Sequence, residues 1–237
     1  MNDDLVQPDR GFGAHPHRNV EICTYIVHGS LTHQDSMGTK ETLNRGAIQF
    51  MTAGSGVTHS EHNLDKTNPL RFIQIWFSTR SNNLPPNYGS SVGNSDARKN
   101  QWLVENVLIY YLVYVFMIIK FCHIQLCRHH MVSDVKGHSA TDIKINQDAN
   151  IFVTELDIGK STEFTVGNDR QAYLLCIEGQ ASVSFGDSCV TLDQHDASEV
   201  LKGGTLKVEA TGSDSESSGA HILMIEMAYQ GPGRSDL

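Results

Sequence analysis

The stretch VEICTYIVHGSLTHQDSMGTKETLNRGAIQFM, residues 20–51, decides the fold. Val20 to His28, Thr39 to Leu43 and Ala47 to Met51 are short runs rich in Val, Ile, Thr, Tyr and Phe, the side chains that suit a pleated, half-buried surface. Between them, residues 29–30, 35–38 and 44–46 carry Gly, Asn, Asp and Ser, which turn the chain cheaply. Working outward, Arg71 to Ser78 repeats the strand pattern and residues 54–56 the turn chemistry. No helical period of convincing length interrupts residues 1–80. This spacing predicts an all-β sandwich or small barrel.

The pattern returns from about Val132. Ile151 to Leu156, Gln171 to Ile177, Ala181 to Phe185 and Ile222 to Met227 read as strands, with turns expected at Glu178-Gly179, Gly186-Asp187 and Gly203-Gly204. Ser81 to Asn100, with Pro85, Pro86, Gly89 and Gly93, reads as a connector. Between the two β modules lies a foreign segment whose apolar run, Val107 to Ile119, is shorter than the roughly 20 residues that cross a hydrocarbon core as a helix, and Lys120 ends it. No membrane span is expected. The domains expected are 1–98, an interdomain segment 99–137 with an anomalous insert at about 104–131, and 138–237.

The 237 residues carry a formal net charge of −9, without a Lys/Arg stripe that could neutralise a phosphate backbone, so direct nucleic-acid binding is excluded as an expectation. Five cysteines are scattered and odd in number, and the start lacks the basic-then-apolar pattern of a secretory signal. A cytoplasmic protein with free thiols is expected, with the nucleus as a further compartment in a eukaryote.

Six of the twelve histidines fall in the first module. His15 and His17 stand two residues apart, so on a strand both imidazoles project to one face. His59 and Glu61 repeat that spacing directly after the tight Gly54-Ser55-Gly56 turn. Three neutral imidazoles and a carboxylate on adjacent strands would hold a first-row metal and leave coordination positions open, unlike a closed thiolate cage. The plainer reading, turn histidines bonded to backbone, suits one isolated histidine better than two same-face pairs. Cys122, Cys127, His129 and His130 form a rival zinc set, but it lacks a distant second pair.

Gly11-Phe12-Gly13-Ala14-His15-Pro16-His17-Arg18, Glu21, His33-Gln34-Asp35-Ser36, Gln49 to Gly56, His59-Ser60-Glu61 and Gln74-Ile75-Trp76 resemble the first module of the pirin family, within the cupin superfamily. The resemblance implies a bicupin, two tandem double-stranded β-helix barrels. The first would bind iron(II) through His15, His17, His59 and Glu61, and the second would lack a metal. Manganese, cobalt, nickel or copper would also suit these ligands. Glu21, four residues after His17, binds metal in many cupins; the pirin pattern instead gives it a supporting role. His28, His33 and His62 are read as supporting or surface groups, and Cys23 as a small core residue.

Family members are similar to quercetin 2,3-dioxygenases, which open a flavonol ring with O2 and release carbon monoxide. The resemblance therefore implies a flavonoid-like substrate, with Glu61 as both ligand and general base. Alternative readings are an iron-binding, redox-responsive partner of transcription factors, reaching chromatin only through protein, and an inactive truncated paralogue. Two departures bear on this. The chain begins ten residues before Gly11, which implies a first barrel without its N-terminal strands and with exposed edges. Residues 104–131 interrupt what reads as one family segment from Leu103 to Val132, in the manner of translated intron sequence.

Overall fold

The structure, a computed structural model, describes residues 1–93, 98–100, 129–134, 143–212 and 219–229. Every element among them is a β-strand. They fall in two compact units, one of residues 1–93, 131–134 and 143–148, the other of 98–100, 129–130, 149–212 and 219–229. The insert expected near 104–131 lies almost wholly outside the described residues, as does the apolar run Val107 to Ile119. No helix among the described residues is long and apolar enough to cross a membrane.

In the first unit, β1 (Asn2–Val6), β3 (Val20–His28), β6 (Ile48–Thr52), β8 (Leu70–Ser78) and β9 (Asn87–Ser91) form one sheet in the order β1-β8-β3-β6-β9. A second sheet has the order β2-β7-β4-β5, from β2 (Arg10–His17), β4 (Ser30–Asp35), β5 (Lys40–Asn44) and β7 (Val57–Asn63). The strands Val20 to His28 and Arg71 to Ser78 were legible to within a residue. The stretch Ser81 to Asn100 was not: it contains β9, which adds to β6 with Tyr88 opposite Met51. Its Ser and Gly content hides a strand that sits at a sheet edge, where weak β formers are tolerated.

Alternation along β8 explains how the unit is both stable and functional. Leu70 and Phe72 point inward and are fully buried, packed with Val6, Ile26, Leu31, Leu43 and Ala47. Burying a side chain of that size contributes about 1.5–3 kcal/mol. Two residues further along the same face comes Gln74, 8% exposed, and two further Trp76, 47% exposed. One strand face thus runs from apolar core, through a buried amide, to the surface. A second cluster, Ile22, Met51, Ala53 and Val57, completes the core. β10 (His129–Asp134) pairs in parallel with β11 (Ile143–Ile145).

The second unit centres on β14 (Arg170–Phe185). Together with β12 (Ala149–Leu156), β13 (Ser161–Val166), β17 (Gly204–Ala210) and β18 (Ala220–Ala228) it gives the order β12-β18-β14-β17-β13, and β15 (Ser188–Asp193) and β16 (Ala197–Val200) also pair with β14. Phe152, Phe164, Leu174, Leu206, Ile222 and Met224 fill its core. The turn expected at Glu178-Gly179 is corrected: β14 runs through it as one 16-residue strand. The register against β18 shifts between Cys176 and Glu178, and Gly179 adopts φ +74°, so the sequence signals mark a bulge. The bulge lets one strand pair with β18 in its first half and β17 in its second.

Candidate metal centre

Among the described residues β2 has a partner only on its β7 side, and an edge strand tolerates Pro16 between the two histidines because no ladder donor is needed there. The β2–β7 register breaks between Phe12 and His15, and beyond that break His15 lies directly opposite His59. On the other side of β7, β4 sets His33 opposite Glu61 and Asp35 opposite His59. Strand pairing alone therefore gathers side chains that are far apart in the chain.

One ligand nitrogen from each of His15, His17 and His59 lies within 4.8 Å of the others. The Nδ1–H of His15 donates to the carbonyl of Gly13 at 2.7 Å, so in the neutral ring the lone pair sits on Nε2. That atom lies 3.1 Å from Nε2 of His59. Two nitrogens each about 2.1 Å from a common ion, and at right angles about it, stand about 3.0 Å apart. The Nδ1 of His59 is buried without a hydrogen-bond partner. With the His59 proton on Nδ1, the Nε2 lone pairs of His15 and His59 face each other at the spacing of a divalent ion's donor set.

Protonation favours the same reading. Burial first, then the neighbouring His15, His17 and His33, pushes His59 down to about 3. Burial and His15 also lower His17. The two rings are therefore neutral at physiological pH, the form that binds metal.

Glu61 is 3% exposed and groups with His33 and His59, whose ligand atoms come within 4.8 Å of its own. The structure does not gather it with His15 and His17 in one set. Gln49 Nε2 donates to its Oε1 at 2.8 Å and Gln74 Nε2 to its Oε2 at 2.9 Å. Burial raises its proton affinity, and those two amides oppose the rise. His33, read from sequence as supporting or surface, is wholly buried. It stacks on Tyr88 with ring centroids 4.4 Å apart, and its Nε2 lies 3.0 Å from Asp35 Oδ2.

Glu21 stands apart from these groups. It accepts Thr52 Oγ1 at 2.8 Å and the backbone and side-chain N–H groups of Asn146, so it ties the segment after β11 to β3. His28 bonds the carbonyl of Pro69 at the surface, and Cys23 is a buried core residue. The rival zinc set lies outside the residues whose side chains are described. Sequence reasoning missed Gln49, Gln74 and Tyr88; the available signal was an amide inside each of two apolar runs, Ile48-Gln49-Phe50 and Ile73-Gln74-Ile75. Beside His17 a cleft of about 350 Å³ opens between Pro16, Arg18, Val57 and Thr58.

Facing β-sheets with imidazoles presented from paired strands, followed by a second β module in tandem, define a double cupin. The chain belongs to the pirin family: residues 1–77 match Pirin, and residues 132–227 match the quercetinase C-terminal cupin domain. A Pseudomonas aeruginosa relative, provisionally named a quercetin 2,3-dioxygenase, is 30% identical over 227 residues, 96% of this chain and 82% of its own length. The quercetin 2,3-dioxygenase of Escherichia coli K12 is 46% identical over 88 residues, which span 37% of this chain and only 38% of that protein. Among solved structures, the bacterial pirin YhhW from Escherichia coli in complex with nickel(II) superposes with a TM-score of 0.73 at 22% identity, covering 96% of this chain and 81% of that one. At that identity the likeness speaks for the fold alone.

Proposed function

We propose that this chain is a metal-dependent dioxygenase that opens flavonol-type substrates with O2. His15, His17 and His59 hold the ion, iron(II) in the cell, and Glu61 stands behind them as fourth ligand and base. The observation that carries this reading is the 3.1 Å approach of the His15 and His59 Nε2 atoms, with a ligand nitrogen of His17 within 4.8 Å of theirs. Relatives named for quercetin 2,3-dioxygenase activity support the substrate class.

A bound ion supplies Lewis acidity and a template for the substrate hydroxyl. The chain's own groups do the rest. Glu61, made more basic by burial, takes the hydroxyl proton on a carboxylate oxygen. Trp76 lies edge-on to His17 with ring centroids 4.9 Å apart and offers an exposed aromatic face to a planar substrate. The buried row of His33, His59 and Glu61 keeps bulk water from the base.

The test is metal content by elemental analysis of the purified chain beside His59→Ala, followed by oxygen uptake with quercetin. About one iron per chain, lost in the variant and accompanied by oxygen uptake, supports the proposal. Iron without oxygen uptake overturns the dioxygenase reading and leaves a metal-binding protein.

A further inference from the structure

Glu61 is held from the opposite sheet by two glutamines whose part in the site has no counterpart among the ligands. Thr24 on β3 pairs with Gln49 of β6 on one side and Gln74 of β8 on the other, so the three side chains form one row across the sheet. Each glutamine gives one Glu61 oxygen an amide N–H, and each is buried, 3% and 8% exposed. A buried amide is costly unless paired. Two such amides converging on one carboxylate, in runs that are otherwise apolar, exceed what packing needs.

An amide can present either end, and here the choice is forced. The indole Nε1–H of Trp76 is only a donor and lies 2.8 Å from Gln74 Oε1, which turns the NH2 end of Gln74 toward Glu61. A flipped Gln74 would set its oxygen against a carboxylate oxygen and its NH2 against the indole N–H. On the other side the Tyr88 hydroxyl lies 3.1 Å from Gln49 Oε1 but also 2.9 Å from Glu41 Oε2. One hydroxyl proton serves two acceptors there, so this lock is the weaker.

We propose that Gln49 and Gln74 are positioning residues that fix the Glu61 carboxylate, with Trp76 and, less firmly, Tyr88 locking the amides that hold it. One N–H on each oxygen leaves one lone-pair direction free on each, and the pair of amides prevents the carboxyl group from rotating. The inference rests on the reading of this cluster as a metal centre. It assigns Trp76 a second role besides its exposed face: its N–H fixes the orientation of a base it does not touch.

The experiment is calorimetric titration of Ni²⁺ into the full chain, with the visible spectrum of the Co²⁺-loaded protein, for wild type, Gln49→Met, Gln74→Met, Trp76→Phe and Tyr88→Phe. Methionine keeps the volume and removes the donor. The glutamine variants are expected to bind Ni²⁺ about 10–100-fold more weakly, with an altered Co²⁺ spectrum, as for partners of metal ligands generally. Trp76→Phe should weaken binding more than Tyr88→Phe. Should the methionine variants not fold, the two aromatic variants decide: altered affinity and spectrum support the proposal, wild-type behaviour overturns it. Four variants within twofold of wild type, with unchanged spectra, overturn the proposal while leaving the metal centre standing. A wild-type chain that takes up neither ion overturns the metal reading and this inference with it.

Discussion

His15 and His59 face each other through their Nε2 atoms at 3.1 Å, although the chain separates them by 44 positions. The cross-strand pair that joins them also fixes His15 in one tautomer, through Gly13. With the proton of His59 on Nδ1, both Nε2 lone pairs point at a common point. The expected consequence is stabilisation by metal. At about 100 times its Kd, an ion that binds only the folded state adds about 2.7 kcal/mol. Thermal melts with and without Ni²⁺ should show a raised transition in wild type, none in His59→Ala, and reversal by a chelator. Equal melts with and without the ion would refute the site.

The loop between β7 and β8 is closed by Asp65. Its carboxylate accepts the backbone N–H groups of Thr67 and Asn68 at 2.8 and 2.9 Å, as well as both of those side chains. The backbone bonds from Asn68 and Thr67 hold its pKa well below the ordinary carboxylate range. A depressed folded-state pKa gives stability that is present above the unfolded value, about 3.9, and is lost as pH falls through the folded one. Asp65→Ala should therefore lower the urea midpoint at pH 6, and the gap from wild type should narrow steadily below about pH 4. A gap that widens on acidification would contradict the assignment.

Much of this molecule is legible in its sequence, and the parts that are not have a common cause. Val20 to His28 announces itself by composition, and His15-x-His17 and His59-x-Glu61 by the two-residue period of a strand. Partnership between strands has no such local signal. That His33 sits behind Glu61 follows from β4 pairing with β7, and that Tyr88 reaches the site follows from β9 adding to β6. Gln49 and Gln74 look like noise in apolar runs until the facing sheet supplies the carboxylate they bond. At Glu178-Gly179 the residue types read as a turn where the strand continues through a bulge, because turn and bulge share the same glycine chemistry.

That bulge is a sharp test of the second unit. Gly179 has φ +74°, and a Cβ built on it would meet the carbonyl oxygen of Gly219 at 1.7 Å. The clash is with backbone that itself lies beside Leu156, so relief requires three strand ends to move. Gly179→Ala is expected to destabilise the second unit by at least about 2 kcal/mol, from the unfavourable φ and the contact together. A urea denaturation midpoint unchanged from wild type would show that β14 does not need this bulge.

Trp76 provides the last test, because it reports on the site without any turnover. Its ring lies 4.9 Å from that of His17, edge-on, while the protein's other tryptophan, Trp102, falls outside the described residues. A paramagnetic ion such as Cu²⁺ or Ni²⁺ held by His17 would lie close enough to the indole to quench its emission. Titrating either ion into the apo chain should lower tryptophan fluorescence and saturate at one equivalent. Trp76→Phe should abolish most of that fall. His17→Ala should abolish it while keeping the full starting emission, which separates loss of the ion from loss of the reporter. Undiminished quenching in Trp76→Phe would show that the fall does not report an ion held beside His17.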